Sequence, residues 1–482
     1  MLLDPPPVAD AAEGERIRVT GLAERMLLGN WYDDLVTELG MFLAPEVLER
    51  ITHPDITRNA LKSYASQSNV LYSEPPTVTA GDADLAPITP PELWPLRQRG
   101  NLLTQGLRDS FMRVDWTKGI GIGYRVVSPA FVTEAWALAN RPDVPVGLRE
   151  LRPRSLDGKA VWTRDTWDVS DQANPVFRIE TWGGEAWVDM TQRFMPDLAP
   201  GAYPYMDAAG PIFPWVMYHP EITDSLWHWN ERLELIDGTL KVGCLWTMWL
   251  HGVRDCSHPQ RVGMDVEAPQ ASRTDGPRPV DKIALDQSAI LLLRSAANKN
   301  GSVTTLAPAM DPKAMADAIM SYEAGLAQSA GLNAADVSVG GTTGMSGYAI
   351  VVSRDGQRRQ WAAQRPAAEM GDRLLLATAA RLANAYGMTS LPTEPADYEV
   401  VYADVGKTVD ELLKELEEAT KLVAAGLIGP IDAIRRVFPN LSYDGAVMRL
   451  TDIAKQRVIA EEIAKIANPP PPAVPDPLPA GA

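Results

Sequence analysis

The chain has 482 residues, of which 45% are hydrophobic and 22% charged, and this composition excludes collagen-like, coil-only and wholly disordered chains. At roughly 100 to 200 residues per domain, the length predicts about three structural parts. Lys plus Arg is 45 against 62 for Asp plus Glu, a net charge of −17. Such a charge repels polyanions when it is evenly spread, which disfavours a conventional groove that grips nucleic acid.

The cysteines and the apolar segments predict an intracellular chain. Cys244 and Cys256 are the only cysteines, too few for a disulfide framework, although they could pair with each other. Residues 1–14 have neither the basic nor the apolar region of a signal peptide, and we expect them to be mobile. The most apolar run, 240–253, contains Lys241 and is shorter than the roughly 20 residues of a membrane span. We therefore expect no membrane partner.

The first quarter of the chain is predicted to be helical. Apolar residues recur at helical spacing over 15–39, and similar patterns follow over 55–70 and 89–112. Between the last two, Pro75 and Pro76 force an extended chain.

A β-rich region follows from residue 119. Apolar residues alternate with other residues over 120–126, which is the period of a strand, and 161–169, 176–182 and 185–190 repeat the pattern. Gly183 and Gly184 predict a tight hairpin between the last two segments. Nine of the fourteen tryptophans lie between residues 162 and 249. Core packing is their simplest interpretation, and a sugar-stacking platform is the alternative.

Two helices with a long polar excursion between them come next. Apolar residues over 221–253 predict the first helix, and residues 257–279 are polar, irregular and rich in Pro, Arg and Asp. Asp311 is a good N-cap with Pro312 at the first helical position, so a second helix is predicted to begin there.

A glycine-rich segment, 338–347, precedes a long alanine-rich stretch, 348–386. The first predicts a flexible loop and the second a helix of about 60 Å that Pro366 should kink. Four arginines lie at near-helical intervals on this helix: Arg354, Arg358, Arg365 and Arg373. A solvated or interface face is their simplest interpretation, and contact with phosphate or with acids on a neighbour is the alternative.

The C-terminal part is predicted to be helical. Thr408 and Glu411 form a capping box before an apolar stripe, and a short helix is predicted over 430–438 and a longer charged helix over 444–467. Residues 469–479 contain seven prolines, which predicts an extended tail.

Three partial motifs fail on their spacing. Gly406-Lys407-Thr408 lacks the first glycine of a P-loop, because position 401 is Val401. In Gly344-Met345-Ser346-Gly347 the second glycine falls one position too early for a nucleophile elbow. Residues 119–123 lack the dinucleotide-binding spacing and lead into a strand.

A metal site is the remaining chemical possibility. Four of the five histidines lie near potential ligands, but the spacing matches no compact zinc motif. The residues concerned are His219, His228, His251, His258, Cys244, Asp255 and Cys256. We therefore expect no catalytic, cofactor or metal site.

In order along the chain, several short motifs resemble those of portal proteins of tailed bacteriophages of the long-tailed, siphovirus type. They are 71–76 (Leu-Tyr-Ser-Glu-Pro-Pro), Pro214-Trp215 with Tyr218-His219, the segment 344–350 that opens the long helix, Ala424-Ala425-Gly426-Leu427-Ile428, and Phe438-Pro439. The chain departs from the commoner Val-Ala-Leu at Tyr348-Ala349-Ile350.

The resemblance implies an α+β portal fold in a ring oligomer. After a mobile 1–14, it implies a wing (15–220), a stem helix (221–256), a clip (257–310), a second stem helix (311–331), a tunnel loop (332–347), a long kinked wing helix (348–388), an α-helical crown (401–467) and a Pro-rich tail (468–482). The implied tunnel-loop residues are Gly340, Gly341, Thr342, Thr343, Gly344, Met345 and Ser346, with Thr342, Thr343 and Met345 approaching DNA.

The resemblance also implies a structural protein of the virion. Such a ring, usually a dodecamer, sits at one capsid vertex and passes double-stranded DNA during packaging and ejection. Its partners would be the terminase large subunit, head-completion or adaptor proteins, and the major capsid and scaffolding proteins, with assembly in the host cytoplasm. The alternatives are an intracellular carbohydrate-active enzyme or sugar-binding protein that uses the Trp-rich region, and a capsid or scaffold component without a channel.

Overall fold

The protein is described by a computed structural model. It describes residues 10–49, 51, 53–257, 260–264, 290–293, 302–306, 311–331, 347–387, 389–403, 409–437 and 445–456.

Helices and several small sheets alternate along the described chain, so the predicted α+β class is confirmed. The helices are α1 (Ala11–Leu28), α2 (Tyr32–Phe42), α3 (Pro45–Leu48), α4 (Ala60–Ser68), α5 (Leu93–Leu107), α6 (Thr191–Phe194), α7 (Leu233–Ser257), α8 (Pro312–Ser329), α9 (Gly347–Ala385), α10 (Val409–Ala424) and α11 (Pro430–Val437). Residues 445–456 are also helical, and single 3-10 turns cover Pro129–Phe131, Trp229–Arg232 and Pro395–Asp397.

The strands form sheets of two to five members. They are β1 (Thr77–Thr79), β2 (Ser110–Thr117), β3 (Gly121–Val127), β4 (Val132–Leu138), β5 (Arg141–Leu156), β6 (Lys159–Asp168), β7 (Val176–Trp182), β8 (Trp187–Asp189), β9 (Met206–Asp207), β10 (Gly210–Pro211), β11 (Trp215–Tyr218), β12 (Gln260–Met264), β13 (Ile290–Leu293), β14 (Ser302–Leu306) and β15 (Glu399–Val401).

The largest sheet is an antiparallel meander with the order β4-β5-β6-β7-β8. The predicted hairpin at Gly183-Gly184 is confirmed: β7 and β8 pair antiparallel, and the Gly183 N–H donates to the Ala186 carbonyl at 3.0 Å. A second sheet has the order β11-β2-β3, and β1 pairs with β15. Meanders of this kind bury one face of the sheet against a core and leave the other face to solvent.

Two hydrophobic clusters hold the first compact unit, which contains α1–α8, β1–β15 and most of α9. One cluster packs the sheets against α9, through residues such as Phe111, Trp215 and Leu376. The other packs α1, α2 and α4 against α7 and α8, through residues such as Trp31 and Leu240. A second unit contains the first residues of α9 with α10, α11 and the 445–456 helix.

Several predicted helices have wrong boundaries. The predicted opening helix over 15–39 is two helices, α1 and α2, which are separated by Gly29 in the left-handed conformation (φ 79°). Within the helix predicted over 55–70, only α4 is helical. The helix predicted over 89–112 is wrong after Leu107, because Arg108 has a left-handed φ of 68° and β2 begins at Ser110.

The helix predicted from residue 221 begins only at Leu233. Residues 221–232 are held in an irregular path by the turn that follows α5. Arg108 donates to Glu221 and to Glu231 at 2.5 Å each, and Asp109 accepts from the His228 N–H at 3.1 Å. The His228 N–H is thereby satisfied outside a helix, and nothing local in the sequence predicts these long-range bonds.

The remaining helix predictions agree better with the structure. The Asp311 cap is confirmed, since its carboxylate accepts from the backbone N–H groups of Lys313 and Ala314 at 3.0 and 3.1 Å. α9 runs continuously through Pro366, and the kink there stays a prediction. α11 matches the short helix predicted from Pro430. The capping residue Thr408 and the Pro-rich tail lie outside the described residues.

Candidate functional site

Helices α7 and α8 form an antiparallel pair. Gly238 in α7 lies against Leu326 near the end of α8, and the Trp249 Nε1–H near the end of α7 donates to the Pro312 carbonyl at the start of α8, at 2.8 Å. A Cβ atom at position 238 would come within 2.5 Å of Leu326 Cδ1. Glycine at this position therefore allows the two helices to approach closely.

A buried polar contact links the pair across its interface. Glu323 of α8 is 5% exposed, and its Oε1 accepts from the Trp246 Nε1–H of α7 at 2.7 Å. The other carboxylate oxygen faces Arg58 at 3.4 Å, and the Arg58 guanidinium lies 4.5 Å from the centroid of the Trp246 ring. The carboxylate is thus paired and hydrogen-bonded, as a buried charge must be.

The opposite side of α7 is fixed to the N-terminal part of the chain. The Thr239 and Thr247 hydroxyls accept from the backbone N–H groups of Leu61 and Asp55, at 3.2 and 2.8 Å. A Cβ atom at Gly243 would come within 2.9 Å of the Trp31 ring. α7 therefore lies between α8 and the α2–α4 region with little freedom to shift.

A small sheet lies between the two helices in sequence. β12 pairs parallel with β13 and antiparallel with β14, in the order β13-β12-β14. These strands fall within residues 257–310, the segment implied to be a clip. The chain order is therefore helix, three-stranded sheet, helix.

The predicted tunnel-loop residues, Gly340, Gly341, Thr342, Thr343, Gly344, Met345 and Ser346, all lie outside the described residues. α9 follows them, and Pro366 is inside it. The structure therefore places Pro366 and leaves the approach of Thr342, Thr343 and Met345 to DNA a prediction.

The long helix α9 is anchored in the core by Asp372. Its carboxylate accepts from the hydroxyls of Tyr72, Tyr402 and Tyr218 at 2.6, 2.7 and 3.0 Å, and from Arg97 Nε at 2.8 Å. Asp372 and Arg97 are at most 1% exposed. Burial opposes the charge of Arg97, but Asp372 more than offsets it and the pKa of Arg97 is raised.

The tyrosines of this cluster are held in their neutral form. Burial raises the pKa of Tyr72, Tyr218 and Tyr402 well above its usual value, and the charge of Asp372 adds to the shift. Close packing completes the anchor, because a Cβ atom at Gly371 would lie 2.4 Å from Tyr218 Cε1. The arrangement is structural, because each of these side chains is bonded to another one within the core.

Two of the four arginines predicted along α9, Arg365 and Arg373, lie near the same acid. Arg373 pairs with Glu369 of the same helix at 2.5 Å, and Arg365 lies 4.0 Å from that carboxylate. The side chain of Arg354 is not among those described. Arg365 and Arg373 therefore face an acid of their own helix, and their contact with phosphate or with acids on a neighbour stays a prediction.

His219 and His228 lie side by side, and each is bonded to its own acid. His219 Nδ1 is bonded to Asp109 at 2.9 Å and His228 Nδ1 to Glu231 at 2.7 Å, with the two rings 5.2 Å apart. Neither Cys244 nor Cys256 forms a disulfide bond among the described residues, and His258 lies outside them. Among those described, no group of three His, Cys, Asp or Glu side chains could hold a metal ion.

The Trp-rich region divides between core and surface. Trp167 and Trp215 are buried, at 1% and 2% exposure, in the cluster between the sheets and α9. Trp182 and Trp187 pair across β7 and β8 with ring centroids 5.3 Å apart, and both are half-buried. Core packing is thus confirmed for the first two.

Comparisons with known proteins give little further information. No family model and no curated protein matches the chain. Among solved structures, a chain from the "Virion of native gene transfer agent (GTA) particle" is similar, with a TM-score of 0.39 and 12% identity over 82% of this chain and 93% of that chain. A likeness at this level assigns no function. No described helix is long and apolar enough to cross a membrane.

Proposed function

We propose that the chain is the portal protein of a tailed, siphovirus-type bacteriophage. It forms a closed ring, a dodecamer in the virion, at one capsid vertex. Double-stranded DNA passes through the ring during packaging and ejection. The chain supplies the conduit, and a separate terminase supplies the energy.

The observation that carries the proposal is the order of elements from α7 to α9. An antiparallel helix pair, α7 and α8, brackets a three-stranded sheet, and a glycine-rich segment then leads into the 39-residue helix α9. This order corresponds to the stem, clip, stem, tunnel loop and long wing helix that the sequence motifs imply. We further propose, from the resemblance, that the clip docks the terminase and the head-completion proteins.

The charge of the helix pair fits a conduit. An open groove between α7 and α8 is lined by Glu234, Asp237 and Lys241 together with small or uncharged residues of α8. Each tight phosphate contact would add to a salt-dependent hold on DNA. We propose that this groove faces the channel, where two acids and one lysine would hold a polyanion only weakly.

The first test is negative-stain electron microscopy of the purified full chain, with a light-scattering mass on the same sample. Closed rings with a central hole and a mass near twelve subunits are expected. Shells without a channel would indicate a capsid or scaffold component. A monomer that binds oligosaccharides saturably would indicate the sugar-binding alternative.

The second test addresses the tunnel loop. Deletion of residues 340–344 should leave ring assembly intact and impair DNA packaging or retention in a phage complementation assay. Deletion of residues 470–474 in the Pro-rich tail is a control of equal length. Unchanged packaging and retention in the first variant would contradict the role of the loop.

A further inference from the structure

An open pocket of about 440 Å³ lies where α4, α5, α8 and α9 meet the segment before α7. Its lining includes three arginines in a chain of net charge −17. The polar side chains that line the pocket include Tyr64, Arg108, Arg232, Arg359, Gln360 and Gln364.

Arg232 and Arg359 have no carboxylate partner in the described part of the chain. Most described arginines do pair with an acid. Arg108 follows this rule, since Glu221, which also lines the pocket, and Glu231 neutralise it. Arg232 donates instead to the hydroxyl of Tyr64 at 2.9 Å and lies over its ring, 4.6 Å from the centroid.

The pocket also presents neutral donors. The buried Tyr64 hydroxyl accepts from Arg232, so its own proton is left to donate to a ligand. Gln360 adds an amide at the pocket wall. Guanidinium, hydroxyl and amide donors that converge on one pocket fit an acceptor with several oxygens.

Helix ends do not account for all of this positive charge. α5 and α8 end near the pocket, and each C-terminus is equivalent to about half a negative charge. Arg108 caps α5 and already has two acidic partners. Arg232 and Arg359 together exceed what two helix ends require.

We propose that this pocket binds a phosphate-type oxyanion, with Arg232 and Arg359 as the charged donors and Tyr64 as a neutral donor. Arginine binds tetrahedral oxyanions in a two-pronged geometry that lysine cannot reproduce. The phosphate comes either from free phosphate or from the backbone of DNA. The site lies within one chain, so it does not depend on formation of a ring.

The test is isothermal titration of the full chain with inorganic phosphate in a phosphate-free buffer. Wild-type protein should bind saturably, and Arg359→Gln should weaken binding by about tenfold, the loss of one charge-assisted contact. Arg359→Lys should fall between the two. Arg373→Gln removes the same charge from the same helix, where Glu369 already pairs with it, and should change binding less than twofold.

Three results would overturn the proposal. The first is no saturable binding of phosphate by wild type up to about 50 mM, a concentration that would fill a millimolar site. The others are equal weakening of binding by Arg359→Gln and Arg373→Gln, and binding of acetate as tight as that of phosphate. Arg359 is exposed, so its variants should unfold at the wild-type temperature.

Competition between duplex DNA and inorganic phosphate identifies the source of the phosphate. If DNA competes with phosphate and Arg359→Gln reduces the salt dependence of duplex binding by about one counterion, the DNA backbone is the ligand. If phosphate binds and the duplex does not compete, free phosphate is the ligand. Both results support the site.

Discussion

The Trp246 Nε1–H donates to Glu323 Oε1 at 2.7 Å, across the interface between α7 and α8. The two residues are 77 positions apart, and the sheet of β12, β13 and β14 lies between them in sequence. This bond therefore links the two helices of the helix–sheet–helix unit on which the proposed function depends.

Glu323→Ala should lower the free energy of unfolding by about 3 kcal/mol. The substitution leaves the Trp246 N–H without its acceptor and Arg58 without its acid, and removal of one partner of a buried charged pair is strongly destabilising. Denaturant unfolding followed by tryptophan fluorescence measures the loss.

Asp317→Ala is the control for this prediction, because Asp317 is exposed on the same helix. Its free energy of unfolding should differ from wild type by less than about 0.5 kcal/mol. Equal effects of the two substitutions would show that Glu323 has no special role.

The close approach of α7 and α8 makes a second prediction. Gly238→Val should destabilise the protein by about 2 kcal/mol, since its side chain would overlap Leu326 in a packed interface. Leu326→Ala in the same chain should recover part of the loss. Thermal unfolding of the single and double variants tests this coupling.

Gly325 of α8, unlike Gly238, has room for a side chain. No atom lies within 4 Å of a Cβ placed there, and the residue is in the interior of a helix. Gly325→Ala should therefore stabilise the protein by about 0.5 kcal/mol. A loss of stability would mean that this face of α8 is covered in the folded protein.

Local patterns predicted those elements whose signals are local. The Asp311 cap and the alternation in β7 are examples, since each depends on neighbours within a few residues. β5 went unpredicted because Pro142, Pro145 and Pro153 interrupt a strand that is central in its sheet, and proline normally argues against such a position.

The polar anchors could not be predicted for a different reason. Glu323 and Asp372 look like ordinary surface acids on amphipathic helices, and only the fold brings their partners to them. Tyr72 is 300 positions from Asp372, and Arg97 is 275. Arg359 could not be predicted as a site residue either, because in the sequence an unpaired arginine looks the same as a paired one.

The Asp372 cluster gives a fourth prediction. Asp372→Asn should cost about 4 kcal/mol, because Arg97 would remain buried without a counter-charge. Arg97→Met combined with Asp372→Leu should cost less than the sum of the single changes. An additive result in chemical unfolding would show that the two side chains do not stabilise each other.

The buried tyrosines make stability sensitive to alkaline pH. Burial raises the pKa of Tyr205 to about 12 and that of Tyr398 to about 12, whereas an unfolded tyrosine ionises near pH 10. The fold favours the neutral form, so this stabilisation is fully present below pH 10 and is lost as the pH rises toward 12. Each residue should add about 1.4 kcal/mol per pH unit to the decline in that window.

Tyr205→Phe removes one of these groups, together with its long hydrogen bond to Asp115 at 3.4 Å and its contact with the Trp116 backbone. Its free energy of unfolding should therefore fall less steeply than that of wild type between pH 10 and 12, by about 1.4 kcal/mol per pH unit. Denaturant unfolding at several alkaline pH values gives both slopes. If the slopes are equal, Tyr205 ionises in the folded protein as freely as in the unfolded chain, and the packing around it does not exclude the charged form.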